Sequence, residues 1–167
     1  ELRGRYPAIL DDDVVGAQAK ELFGDAQVVL QHIVDGKLLQ ARAVWGFFPA
    51  NADGDNIVLY TDETRSDVLT TFHMIRRQRP RSEQAQCHAL SDFIAPIASH
   101  RADYIGAFAV TTGIGLEALV AAYEADHDDY HAIMVKAIAD RLAEAFAEQT
   151  HQRARHAWGY GRDEQLN

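Results

Sequence analysis

Residues 124–147 read EADHDDYHAIMVKAIADRLAEAFA. Apolar residues recur here at steps of three and four, with acids between them. That period belongs to an amphipathic helix. No Gly or Pro interrupts the run from Asp128 to Arg155. One long helix is therefore expected over about 128–155. Two glycines, Gly159 and Gly161, lead out of it into a polar tail.

Working upstream, Gly115 to Ala125 reads as a shorter helix with Leu116, Leu119, Val120 and Tyr123 on one face. Before it, ADYIGAFAVTTG at 102–113 is a short apolar run between Asp103 and Gly113. It predicts a buried strand. Residues 82–103 read as connection, with Pro96 as a breaker. RSDVLTTFHMIRR at 65–77 leans towards a strand at 68–73 that runs into a short helix. Residues 40–61 predict a hairpin around Asp53-Gly54, with more than two residues in its loop. Trp45, Phe47 and Phe48 suit core packing better than a stacking platform for a cofactor. At the front, Val15, Ala19, Leu22, Phe23, Ala26, Val29, Leu30 and Ile33 form another helical stripe. Asp11, Asp12 and Asp13 suit the positive start of that helix as caps rather than as a metal site, and Gly36 suits its end.

Strands and helices mix without regular alternation. The fold class expected is α+β: a twisted antiparallel sheet packed by helices, with a long C-terminal helix, as a single domain over 1–167. GxGxxG and P-loop signatures are absent.

The chain has 167 residues, 47% hydrophobic and 25% charged, and a net charge of −9. The acidity argues against nucleic acid, since no basic surplus is present to replace phosphate counterions. One cysteine, Cys87, allows no internal disulfide and fits a reducing, cytoplasmic setting. No apolar run reaches the roughly 20 residues of a membrane span, and ELRGRYPAIL has no signal-peptide core. The sequence starts without Met, and the expectation is a fragment of something longer.

Three groups of residues carry possible chemistry. His127 and His131 are four apart, as in zinc HExxH helices, but Asp128 stands where that motif has Glu, and no third ligand is evident. Capping by Asp128 or Asp129 explains the cluster without metal. Asp140 and Glu144 stack one turn apart in a stripe with Ile133, Ala137 and Ala147. Either Arg141 or Lys136 pairs with them structurally, or a ligand does. Arg76, Arg77, Arg79 and Arg81, broken by Pro80, read as a solvated turn or a partner-docking surface. No nucleophile elbow or triad-like grouping is present.

Several segments, in order, carry a family resemblance: GRYPAILDDDVVGAQAKELF at 4–23, VWGFFPANADGDNIVLYTDETR at 44–65, LSDFIAP at 90–96, ADYIGAFAVTTG, HDDYHAIMVKAIADRLAEAFAE at 127–148 and WGYGRDEQL at 158–166. Together they resemble the activation domain of vitamin-B12-dependent methionine synthase. That enzyme moves a methyl group from methyltetrahydrofolate through cobalamin to homocysteine. The resemblance implies a domain that binds S-adenosylmethionine and supports reductive reactivation of cob(II)alamin. It implies as partners the cobalamin module of the same enzyme and a flavodoxin or flavoprotein reductase. Zinc belongs to the parent enzyme and not to this domain. Glu144 matches a glutamate that contacts S-adenosylmethionine. Asp140 matches an aspartate that meets a histidine released from cobalt. A second acid for that histidine falls near Leu116, with Glu117 beside it. The family's ligand motif Arg-Pro-x-Pro-Gly-Tyr-Pro lies downstream of the WGY segment, and a ligand aspartate lies upstream of GRYPAIL. This chain contains neither, so alone it is expected to bind S-adenosylmethionine weakly or not at all and to be inactive. The competing readings are a non-catalytic docking module for a flavoprotein or cobalamin domain, and a metal-dependent hydrolase using His127 and His131.

Overall fold

A computed structural model describes residues 4–79 and 86–162. The helices are α1 (Gly16–Gly36), α2 (Leu116–Ala125) and α3 (Asp129–Trp158), and the strands are β1 (Gln40–Asp53), β2 (Asn56–Tyr60), β3 (Val68–His73) and β4 (Asp103–Ile114). The sheet is open and antiparallel, in the order β3-β2-β1-β4. This is the α+β class expected, long last helix included. No helix among the described residues is long and apolar enough to cross a membrane. The chain divides into two compact units, 44–108 and the remainder.

The 44–108 unit is organised by the β1–β2 hairpin. Asp53 pairs with Asn56, leaving only Gly54 and Asp55 in the turn. The longer loop expected from sequence is thus replaced by a two-residue one. β1 continues through the polar stretch because Asn51 is buried and used: its Nδ2 donates to the carbonyls of Ala95 and Arg101, each at 2.9 Å. Gly54 sits at φ +58°, which a tight hairpin turn requires and glycine tolerates. Ala50, Ile57 and Leu59 form a small core with Met74, Ile94 and Ile105 packed against it.

Two arginines tie the loops of this unit. Arg65 donates to the Ala50 carbonyl (3.2 Å), to Asn51 Oδ1 (3.0 Å) and to the Asp103 carbonyl (2.9 Å). Its guanidinium also lies over the rings of Tyr60 and Tyr104. Arg76 bonds Asp92 through both terminal nitrogens at 2.7 Å and Asp55 at 2.6 Å. That fork holds the Asp92 carboxyl well below the usual range. It also corrects two expectations. Residues 74–77 form no helix, because Met74 bonds the Asp55 carbonyl and Arg76 is pulled across to Asp92. Arg76 is a structural tie rather than part of a solvated turn. Pro80 and Arg81 lie outside the described residues.

Two further expectations fail. β4 is an edge strand in this sheet, and half of its residues are exposed, Phe108 at 46% among them, while Thr112 alone is buried. Trp45 and Phe48 are also half-exposed rather than core. A short apolar run reads the same at a sheet's edge as at its centre.

The other unit is built on three helices. Val29 and Ile33 of α1, Val120 of α2, and Ala132, Met134 and Val135 of α3 form its core. Leu116, Leu119 and Tyr123, the face expected of α2, pack against them. The acids before α1 do not cap its first residue: Asp12 accepts from the amides of Val14 and Val15, both at 2.9 Å, in the turn that leads into the helix, whose N-cap Val15 has no side-chain cap. At its end Gly36 stays helical, and Lys37 takes the left-handed position. Thr112 hooks β4 to α3 by donating to the Ala139 carbonyl at 2.8 Å.

α3 is closed at both ends. Asp128 accepts from the His131 amide (3.1 Å) and contacts His131 Nδ1 (2.6 Å). At the other end Gly159 is left-handed, the Tyr160 amide returns to the Arg155 carbonyl, and Arg155 and His156 complement the negative helix end. The amide and imidazole of His131 hold the Asp128 carboxyl below its ordinary value. A carboxyl depressed in the folded state adds stability above its unfolded pKa, and that stability is lost as pH falls through the folded pKa. Asp128→Ala is therefore expected to lower Tm by several degrees at pH 7. The gap should shrink as pH falls below the ordinary carboxyl value and on through the lower folded one, where the wild-type cap becomes protonated. Asp128→Asn, an equally good cap, should recover most of the neutral-pH loss.

Candidate functional site

The core-facing side of α3 is set by Ala132, Val135 and Ala139, all buried. Asp140 is one residue round from Ala139, and Glu144 lies one turn beyond Asp140. Both therefore emerge on the outer side of the helix. Their side chains are 67% and 62% exposed. The stripe they share with Ile133 and Ala137 is a surface stripe, since Ile133 is 67% exposed and Ala137 is also exposed. The acids are not embedded in apolar surroundings, and neither pays a burial cost.

Arg141 joins them. Its guanidinium contacts Asp140 at 2.5 Å and Glu144 at 2.8 Å. Asp140 first, and Glu144 after it, hold the guanidinium's pKa above the ordinary arginine value. Lys136, the other partner considered, bonds Glu124 at 3.3 Å instead. The result is a solvent-facing cluster of two carboxylates and one guanidinium on consecutive turns, with one negative charge in excess. Such an arrangement suits a cationic group, which competes with Arg141 for the carboxylates.

Glu117 is exposed in the first turn of α2 and forms no hydrogen bond or ion pair with Asp140 or Glu144. Its neighbour Leu116 packs on the three-helix core, so Glu117 is the accessible side chain of that pair.

The histidine pair does not form the helical HxxxH face. His127 precedes the cap in a left-handed conformation (φ +58°), while His131 is inside α3, paired with Asp128 and stacked on Tyr123 at 5.4 Å between ring centroids. The cluster is capping machinery, one of the two readings its sequence allowed. One contact had no sequence signal: Tyr130 donates its hydroxyl to Asp25, at 2.7 Å and 105 residues away in the chain.

An open antiparallel sheet and three helices, with accessible carboxylates on the longest helix, define an α+β module. The chain belongs to the family of the vitamin B12-dependent methionine synthase activation domain, whose model matches residues 1–167. A crystal structure of the MetH reactivation domain bound to AdoHcy is similar to it, with a TM-score of 0.88 and 52% sequence identity. The match covers 99% of this chain and 51% of that one, so the chain spans about half the length of its solved relative.

Proposed function

We propose that this chain serves S-adenosylmethionine-dependent reductive reactivation of cob(II)alamin within a cobalamin-dependent methionine synthase, a methyltransferase of the cytoplasm. The observation carrying this reading is the whole-length family match, joined to 52% identity with a reactivation domain whose structure holds AdoHcy. AdoHcy is S-adenosylmethionine less its methyl group. In the net reaction one electron from a flavodoxin or flavoprotein reductase, plus the methyl cation equivalent of S-adenosylmethionine, converts cob(II)alamin to methylcobalamin and releases S-adenosylhomocysteine. The cofactors supply that chemistry; the protein supplies binding and orientation.

This chain's part is electrostatic. Glu144 offers a carboxylate to the cationic end of S-adenosylmethionine, in competition with Arg141. Asp140, with Glu117 as a second acid, offers one to a histidine of the cobalamin module. The donor set fits: the Asp140 and Glu144 carboxylates are accessible, and among the described residues the cation bonded to them is Arg141, itself solvent-facing.

The test uses the polypeptide that carries this domain together with its cobalamin module. Glu144→Gln is expected to weaken S-adenosylmethionine about tenfold by calorimetry, because an amide cannot replace a charge-assisted bond. Asp140→Asn is expected to leave that affinity within about twofold and to shift the base-on/base-off cobalamin spectrum partially, as a coupling of about 1–3 kcal/mol dictates. If neither variant changes either readout, the Asp140–Arg141–Glu144 cluster is only a surface ion-pair network, and the chain is better read as a non-catalytic docking module.

A further inference from the structure

Asp140 and Glu144 are four residues apart on α3, so their carboxylates meet on one helix face and repel each other. Arg141 lies between them in sequence and bonds both, at 2.5 Å to Asp140 and 2.8 Å to Glu144. Its own side chain is 66% exposed, so a solute can reach either contact from water. Lys136 bonds Glu124 of α2 at 3.3 Å, which leaves Arg141 as the cation on these acids among the described residues.

The two arms of this fork are not equivalent. Arg141 and Glu144 are three residues apart, the spacing at which side chains meet along a helix surface. Asp140 and Arg141 are consecutive, and consecutive side chains leave a helix about 100° apart. The Asp140 contact is the shorter, but it is made sideways, by a guanidinium drawn along the helix towards Glu144.

We propose that Arg141 is a built-in competitor that links the two acids: a cation that takes Glu144 opens the fork, and Asp140 is thereby released to its own partner. This rests on the roles given to Glu144 and Asp140 above and adds a regulation to them. In the resting chain one guanidinium occupies both carboxylates. The cationic end of S-adenosylmethionine at Glu144 displaces one arm. The arm left on Asp140 then joins consecutive residues alone, whose side chains do not face each other on a helix. Asp140 is freed, and seating a histidine of the cobalamin module on it becomes easier. Ligand binding at one carboxylate and docking at the other therefore favour each other, each by the same factor. That factor is modest, because exposed ion pairs of this kind change an equilibrium constant by about fivefold at most.

The test compares Arg141→Met, which keeps much of the stem and removes the charge, with wild type and with Glu144→Gln, all in the polypeptide that carries this domain together with its cobalamin module. S-adenosylmethionine affinity, by calorimetry, is expected to rise about threefold in Arg141→Met. The base-off fraction of the cobalamin spectrum should be raised before any S-adenosylmethionine is added, and the ligand should then add less to it than in wild type. Arg141→Lys should return the affinity towards wild type, because charge is what competes. An arginine with a merely structural role gives no such gain: its loss lowers affinity or leaves it alone. A lower affinity in Arg141→Met would make the arginine a ligand contact and overturn the proposal. A higher affinity with an unchanged spectrum would make it a competitor at Glu144 only, and the link to Asp140 would be wrong. If Glu144→Gln weakens binding about tenfold while Arg141→Met leaves it unchanged, the proposal falls and the reactivation reading stands. If Glu144→Gln has no effect, the role given to Glu144 falls first, and the link falls with it.

Discussion

Gly115→Val is expected to leave little folded protein at 37 °C. Gly115 precedes α2 at φ +99°, a conformation L side chains rarely adopt. A Cβ there would stand 2.4 Å from the Leu38 carbonyl oxygen, which is backbone and has no rotamer to yield. The strain of that φ costs about 1–3 kcal/mol even for an ordinary residue, and more for a β-branched one. Relieving the clash means moving either the chain entering β1 or the start of α2. Whole-domain stabilities are about 5–15 kcal/mol, so the two costs together remove a large share. The measurement is the urea midpoint of Gly115→Ala beside the soluble yield of Gly115→Val. A midpoint for the alanine variant equal to wild type would show that the backbone relaxes freely there. Gly54, also at positive φ but with open space around it, is the internal comparison: Gly54→Ala should cost far less.

Arg65→Met is expected to destabilise by about 2–4 kcal/mol, the next largest effect. Methionine keeps much of the stem between Tyr60 and Tyr104 but removes every donor. The Ala50 and Asp103 carbonyls and Asn51 Oδ1 then lose the guanidinium, and buried Asn51 can no longer be held from both sides. Each acceptor left short of a partner costs about 1–3 kcal/mol, discounted here because Arg65 is only part-buried. Arg65→Lys should recover less than half of the loss in denaturant unfolding, because an ammonium cannot reach three acceptors in one plane or stack on two rings. Full recovery by lysine would mean that charge alone matters at this position.

Neither Arg65 nor Gly115 announced its role in the sequence. Arg65 only opened the 65–77 stretch, ahead of the strand expected at 68–73. Its partners lie 14, 15 and 38 residues away, and no local period encodes a contact of that kind. The helices were legible because their signal is local. The stripe on α1, the face of α2 and the unbroken run of α3 each repeat within one turn, and the packed core consists of those residues. Strands were legible as strands but not in their exposure. An apolar run such as YIGAFAV looks buried until the sheet order places it at an edge. The hairpin loop was misjudged because Asn51 and Asp53 read as turn residues, whereas one is a buried donor and the other pairs with Asn56. At the candidate site, spacing alone placed Asp140 and Glu144 on one helix face. It could not tell a buried stripe from an open one, which depends on how closely α1 approaches.

α3 has 30 residues, is fastened at both ends, and carries Asp140 and Glu144 near the middle. A helix of that kind is a gauge. The rise between Asp140 and Glu144 is about 6 Å, fixed by hydrogen bonds that no ligand touches. Side chains can swing, but their roots cannot draw together or apart. Arg141 spans both carboxylates with one planar guanidinium, so whatever meets both at once either displaces that fork or brings positive groups of its own at a matching spacing. A ligand met by both acids would therefore be selected by spacing as well as by sign.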